Sequence, residues 1–119
     1  MKKRIQSFKC AGKGVARVAV SETNFHLHLL AALAVTGLGA YLRLSAGEWT
    51  EVVLCFGLVL SAEAMNTAVE RLVDLVSPGR HELAGEVKDI AAGAVLLAAI
   101  SAAAAGAIIF LPKIAARLG

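Results

Sequence analysis

Residues 90–111, "IAAGAVLLAAISAAAAGAIIFL", contain no charged side chain. A helix of about 20 such residues crosses the hydrocarbon core of a bilayer, where every backbone polar group must be satisfied within the segment. This run is therefore long enough to span by itself, and it makes the rest of the chain a question of how many such helices there are. The chain has 119 residues, enough for one domain, and 58% of them are hydrophobic. Soluble domains usually hold about 45–50%. Only 5% are aromatic, so the apolar content is Ala, Leu, Val and Ile, a mixture suited to closely packed helices.

Four helical segments are expected within a single domain covering residues 1–119. The first is residues 1–20, "MKKRIQSFKCAGKGVARVAV". Ile5, Phe8, Val15 and Val18 recur at helical spacing, and Arg4, Lys9, Lys13 and Arg17 fall off that stripe. A basic amphipathic helix of this kind suits a membrane interface. The same cations interrupt any signal-peptide core, and no A-x-A-like site follows. Gly12 and Gly14 weaken the helix. Membrane helices are expected at about 25–44, 51–76 and 83–110. "SAGEW" at 45–49 reads as a turn with Trp49 at an interface, "SPGRH" at 77–81 breaks the chain, and Pro112 ends the last helix. Tyr41 and Arg43 are placed to anchor the far end of the second segment. Cys10 and Cys55 have no metal-like spacing and read as reduced structural residues.

The basic residues orient the spans. Lys2, Lys3, Arg4, Lys9, Lys13 and Arg17 precede the first span, and Arg71, Arg80 and Lys88 flank the 77–81 turn. Arg43, Lys113 and Arg117 lie on the opposite side. This bias places the N-terminus and the turn in the cytoplasm.

A polar stripe runs into the apolar region. At about 100° per residue, Glu63, Asn66, Thr67, Glu70 and Asp74 all fall within about 60° of Glu63, whereas Met65, Val69 and Leu72 point elsewhere. Glu63 is the deepest, about 10.5 Å of helix rise below Glu70. Carboxylates there need cations, a water-filled cleft or a partner to compensate them. Asp74 and Glu82 also read as solvated groups near a helix end. Glu22, in "SETNF", reads by itself as a capping or solvated carboxylate, with Ser21 or Thr23 as the cap of the next helix. Carboxylates from several helices at one membrane face can hold Mg²⁺. Lys88 could neutralise phosphate, and a deep carboxylate could take a proton from a lipid hydroxyl. Together these suit phosphoryl transfer, although no P-loop or protein-kinase signature is present and "GKG" at 12–14 is not one.

The stretch "EAMNTAVERLVDLV…H…KDIAAGAVLLAA" fits the pattern E-x-x-N-S/T-A-I/V-E-x-x-V-D followed by H and K-D, and "SFKCAGKG" and "SETNFHLHLLAALAV" match further upstream. By these motifs the chain, over roughly residues 4–110, closely resembles the prokaryotic diacylglycerol kinase family, which also contains the undecaprenol kinases. The resemblance implies an all-α integral membrane enzyme: an N-terminal surface helix plus three membrane helices in a homotrimeric bundle. It implies transfer of the γ-phosphate of MgATP to a lipid hydroxyl. Glu63 corresponds to the catalytic base, and Asn66 and Asp74 to active-site polar positions. Glu22 and Glu70 correspond to the metal-associated carboxylates, Lys88 and Asp89 to the nucleotide-binding pair, and His81 to a histidine near the nucleotide. Lys3 or Arg4 stands for the basic side chain that approaches ATP. The tyrosine often found at the place of Cys10 is absent.

"ETNFHLHLL" looks like the undecaprenol branch, with His26 in place of its usual arginine and His28 where the diacylglycerol branch carries an acidic group. Undecaprenol is the expected substrate and diacylglycerol the alternative; no nucleic-acid partner is expected. The residues alone also admit a small membrane transport or interaction subunit that uses Glu63 and Glu70 as ion or proton carriers. Small residues from Gly93 to Gly106 on the last span suit close helix contacts between subunits, with Glu22 of one chain approaching the stripe of another.

Overall fold

The computed structural model describes residues 1–119, and the chain forms four helices: α1 (Lys2–Ser21), α2 (Thr23–Leu42), α3 (Ala46–Val76) and α4 (Glu82–Leu118). The last three are long and apolar enough to cross a membrane, which makes this an all-helical multi-pass architecture. α3 and α4 form the dominant antiparallel pair. α2 lies mainly against α3 and touches α4 less, and α1 meets only α2 and α3.

α1 runs unbroken through Gly12 and Gly14, at each of which a Cβ would meet nothing within 4 Å. Each costs about 1 kcal/mol of helix propensity relative to Ala, and the flanking helix formers carry the segment through. A single extended residue, Glu22 (φ −105°, ψ 117°), separates α1 from α2. Ser21 is still in the last turn of α1, where its Oγ donates to Arg17 O at 2.7 Å. The expected cap from Ser21 or Thr23 is therefore not made: Glu22 takes the N-cap position, and no side chain caps α2.

At the other end of α2 the chain reverses through Arg43, whose φ of 56° and ψ of 62° are left-handed. Leu44 N donates to Gly39 O at 3.1 Å and Arg43 N to Ala40 O at 3.3 Å, the paired bonds of a Schellman turn in which the left-handed residue is usually Gly. "SAGEW" is then not a turn but the start of α3. Ser45 N donates to Glu48 Oε1 at 2.9 Å, and Glu48 N donates to Ser45 Oγ at 3.2 Å. This reciprocal capping box starts α3 at Ala46 instead of near Glu51.

α4 also continues beyond the expected stop, through Pro112 to Leu118. Proline removes one backbone donor, a loss tolerated in apolar bundles when neighbours hold the segment. Here Lys113 Nζ lies 3.1 Å from Glu48 Oε1, the Arg117 guanidinium sits 4.5 Å from the Tyr41 ring centroid, and Ile114 packs on the core. That core, Leu44, Val52, Ile109 and Phe110, is close to the Arg43 turn. Gly39 lets Trp49 close against α2: a Cβ there would stand 2.8 Å from Trp49 Cη2.

The chain is flat, 56 × 42 × 20 Å, about two helix diameters thick. Only 12 of 119 residues are buried, and three of those are polar: Glu63, Asn66 and Thr67. Most large apolar side chains, among them Leu33, Leu54, Leu97 and Ile108, therefore face outward.

Candidate active site

The helical spacing of the α3 stripe is realised. Glu63 is 2% exposed, Asn66 9% and Thr67 2%, whereas Met65 and Leu72 point outward. The Thr67 hydroxyl donates to Glu63 O at 3.1 Å, a bond within the helix that satisfies it without a partner from elsewhere. Asn66 Nδ2 donates to Glu70 Oε1 at 3.2 Å, so these two side chains, one turn apart, present themselves as a unit. The carbonyl oxygen of Asn66 is buried and has no donor.

Glu63 meets a residue from α2: His28 Nε2 is 3.6 Å from Glu63 Oε2. The carboxylate is almost fully enclosed, while the imidazole is about a quarter exposed (3% against 26% of the side chain). Sequence reasoning passed over His28 as a site residue. The signal was there, since an ionisable side chain inside a span is rare and marks function by default.

The stripe ends at Asp74, whose Oδ1 accepts from Lys88 Nζ at 2.6 Å. These two side chains border an open cleft of about 530 Å³ where α3 gives way to α4, with Ser77, Arg80, His81 and Gly85 among its walls. His81 is the N-cap of α4, its Nδ1 accepting from Leu83 N at 3.2 Å. Asp89 follows Lys88 but is exposed and makes no ion pair within the chain. Lys3 and Arg4, on α1, are likewise exposed and unpaired.

Glu22, at the α1–α2 junction, is bound to α3 by a residue that no local pattern marks. Arg71 Nη2 donates to Ser21 Oγ at 2.8 Å and stands 3.6 Å from Glu22 Oε1. Arg71 follows Glu70 directly, so these contacts tie the α1–α2 junction to the part of α3 that carries Glu70. Within one chain no three His, Cys, Asp or Glu side chains gather as a metal-ligand cluster. The Glu22 and Glu70 carboxylates and the donor-less side-chain oxygen of Asn66 are all oxygen donors. That is the ligand chemistry Mg²⁺ takes, completed by water and phosphate oxygens and not by a dedicated protein cage.

Arranged along α3, then, are a polar cleft walled by Arg80, His81 and Lys88 together with Asp74 and Glu82, the Asn66–Glu70 pair, and a buried carboxylate about 16.5 Å of helix rise below Asp74. A profile of the prokaryotic diacylglycerol kinase family matches residues 9–110. The chain belongs to this family. It is 43% identical over 109 residues to an undecaprenol kinase of Bacillus subtilis, an overlap covering 92% of this chain and 89% of that one. It is 41% identical to a diacylglycerol kinase of Synechocystis sp. over 91% of this chain and 62% of the relative. A diacylglycerol kinase of Escherichia coli is 32% identical over 79% of this chain and 80% of its own length. Membership of a lipid-kinase family decides between the two classes the residues left open: the protein is an enzyme, not a carrier subunit.

Proposed function

We propose that the protein transfers the γ-phosphate of MgATP to the hydroxyl of a membrane lipid, with undecaprenol as its substrate. The observation that carries this reading is Glu63: a carboxylate 2% exposed, set on the same helix face as Asn66, Glu70 and Asp74 and deeper than all of them. A nucleotide entering from the polar end meets the cleft first. Lys88, Arg80 and His81 offer donors and charge to its phosphates, and the N-terminus of α4 adds its dipole. Asp74 orients Lys88, and Asp89 completes the nucleotide contacts. The triphosphate then reaches inward to the level of Glu22, Glu70 and Asn66, where these oxygens would hold Mg²⁺. The metal, when bound, neutralises charge on the phosphates.

The lipid hydroxyl approaches from the membrane at the depth of Glu63. The carboxylate accepts its proton, the alcohol oxygen attacks the γ-phosphorus, and the bond from that phosphorus to the bridging oxygen breaks to release ADP. Asn66 holds the reacting groups in line. Placement and charge neutralisation provide most of the acceleration in such a transfer.

In this reading the N-terminus and the Ser77–His81 turn face the cytoplasm of a bacterial inner membrane. α1 lies at the lipid–water interface, and Lys3 or Arg4 on it reaches the nucleotide. Three chains associate, covering the apolar faces that one flat chain leaves open. The preference for undecaprenol rests on "ETNFHLHLL" and on the 43% identity to the undecaprenol kinase. Diacylglycerol is the second reading, favoured by the relatives named for it. The test is transfer from γ-labelled ATP by purified protein with undecaprenol and diacylglycerol in parallel, with and without Mg²⁺. The expected result is Mg²⁺-dependent labelling of undecaprenol with the higher kcat/KM. Transfer to neither lipid refutes the reading, and preferential labelling of diacylglycerol reverses the choice of substrate.

A further inference from the structure

Glu22 is the single extended residue between α1 and α2, and it stands at the N-cap of α2 without capping it. Glu is not among the side chains that cap well, and its carboxylate takes no hydrogen bond from the first turn of that helix. Something else must fix where the carboxylate points. The one side chain paired with it is Arg71 of α3, whose Nη2 stands 3.6 Å from Glu22 Oε1. Arg71 falls about 80° round the helix from Glu63, at the edge of the polar stripe. From there its side chain crosses to the α1–α2 junction.

The two contacts of Arg71 differ in kind. Its hydrogen bond goes to Ser21 Oγ, at 2.8 Å. The Ser21 hydroxyl proton is already given to Arg17 O at 2.7 Å. The oxygen therefore has only lone pairs to offer, and a guanidinium, which only donates, is the matching partner. Glu22 Oε1, at 3.6 Å, lies beyond hydrogen-bond length. The bond to Ser21 fixes the guanidinium, and the fixed charge turns the carboxylate without occupying its oxygens. No other side-chain hydrogen bond or ion pair joins α1 or Glu22 to α3, and Val18 is the one buried residue of α1. A half-exposed pair adds little to stability, so its loss should leave the fold intact and reveal what else it does.

We infer that Arg71 is a positioning residue: anchored on Ser21, its guanidinium holds the Glu22 carboxylate against α3 with both oxygens free for a cation. The inference rests on the reading of Glu22 as a metal-associated carboxylate and adds the residue that aims it. Removing a group that orients a metal ligand typically lowers metal affinity by about 10–100-fold. Arg71 acts through Glu22 and touches neither nucleotide nor lipid.

The test is binding without turnover. The probes are a non-hydrolysable ATP analogue as its Mn²⁺ complex and the same analogue free of metal, each measured by equilibrium dialysis against the purified protein without lipid substrate. Arg71→Met should weaken binding of the Mn²⁺ complex by about tenfold and leave metal-free binding within about twofold. In a Glu22→Gln background the same substitution should add less than about twofold, because its route is already cut. In the transfer assay, the Mg²⁺ needed for half-maximal activity should rise in step, with kcat at saturating Mg²⁺ within about twofold of the parent. A misfolded protein does not show that split.

Equal weakening of both nucleotide forms overturns the proposal, since Arg71 would then meet the phosphates itself. Tighter binding of the Mn²⁺ complex also overturns it, because the guanidinium would then be a competitor of the metal. A full effect in the Glu22→Gln background overturns it by making Arg71 a brace for α1. If Glu22→Gln alone leaves Mn²⁺ binding unchanged, the metal reading of Glu22 falls together with the inference. If Glu22→Gln weakens that binding and Arg71→Met does not, only the part given to Arg71 is overturned.

Discussion

Replacing Glu63 by Gln should lower activity and leave stability unchanged or raised, and this opposition of signs is what makes the substitution informative. Gln matches Glu in shape and keeps a carbonyl oxygen, but it has no charge and accepts no proton. The side chain is only 3% exposed, with the His28 imidazole 3.6 Å from its carboxylate. Burying an ion costs several kcal/mol even after relaxation, and a pair usually recovers only part of that. His28 is about a quarter exposed (26%) and so is not stranded in a dry interior when its partner loses its charge. The folded state should therefore be at least as stable as the parent. Loss of a general base typically costs about 10²–10⁴ in rate, which is about 2.7–5.4 kcal/mol of barrier. The assay pairs labelled-phosphate transfer at saturating ATP and lipid with a thermal midpoint and nucleotide binding in the same detergent. Turnover within about tenfold of the parent would remove Glu63 from the chemistry. A lowered midpoint with proportionate loss of activity would make Glu63 a structural residue.

Glu22→Gln and Glu70→Gln should each raise the Mg²⁺ concentration needed for half-maximal activity, and the double substitution should fall short of the sum of the two; strict additivity would mean that they never meet at one ion. Co-refolding an inactive Glu22→Gln chain with an inactive Glu63→Gln chain should restore part of the activity, the outcome expected where Glu22 of one chain approaches the stripe of another. Cross-linked mixed trimers without activity would mean that each chain carries its own site. Gly39→Ala should lower the thermal midpoint without changing KM for ATP or lipid, since its Cβ would stand 2.8 Å from Trp49 Cη2 and 2.9 Å from Leu44 Cδ1; overpacking of this kind costs about 1–3 kcal/mol. An unchanged midpoint there would show that Trp49 moves aside freely.

The parts of the molecule legible in the sequence are those governed by local periodicity. The apolar runs marked all three long helices, and the 3.6-residue period brought Glu63, Asn66 and Glu70 to one face before any coordinates were needed. Two element ends were misplaced for different reasons. Ser45 and Glu48 spell the S-x-x-E capping signature inside what looked like a turn, so the start of α3 was readable there. The end of α4 was not readable: Pro112 is a stop signal locally, and only Glu48 and Tyr41, from α3 and α2, hold the helix beyond it. The same distinction divides the site. Asp74 and Lys88 were legible as polar residues flanking a break. The contacts of Arg71 with Ser21 and of His28 with Glu63 depend on how α2 packs against α3, and no spacing within one helix encodes them.

α2 is the shortest of the three long helices, 20 residues against 31 and 37. That is about 30 Å of rise, no more than the hydrocarbon thickness itself, while α3 and α4 reach about 46 and 55 Å. Charged residues close both of its ends, Glu22 and Arg43, so it has no slack to tilt without drawing one of them into the apolar layer. The longer helices can lean; this one works as a calliper. Bilayer thickness acts on the molecule chiefly through α2, at a cost of fractions of a kcal/mol per Å of mismatch. Because Glu22 is one tip of that calliper and is tied to Arg71, a change in thickness is delivered to the turn that also carries Glu70.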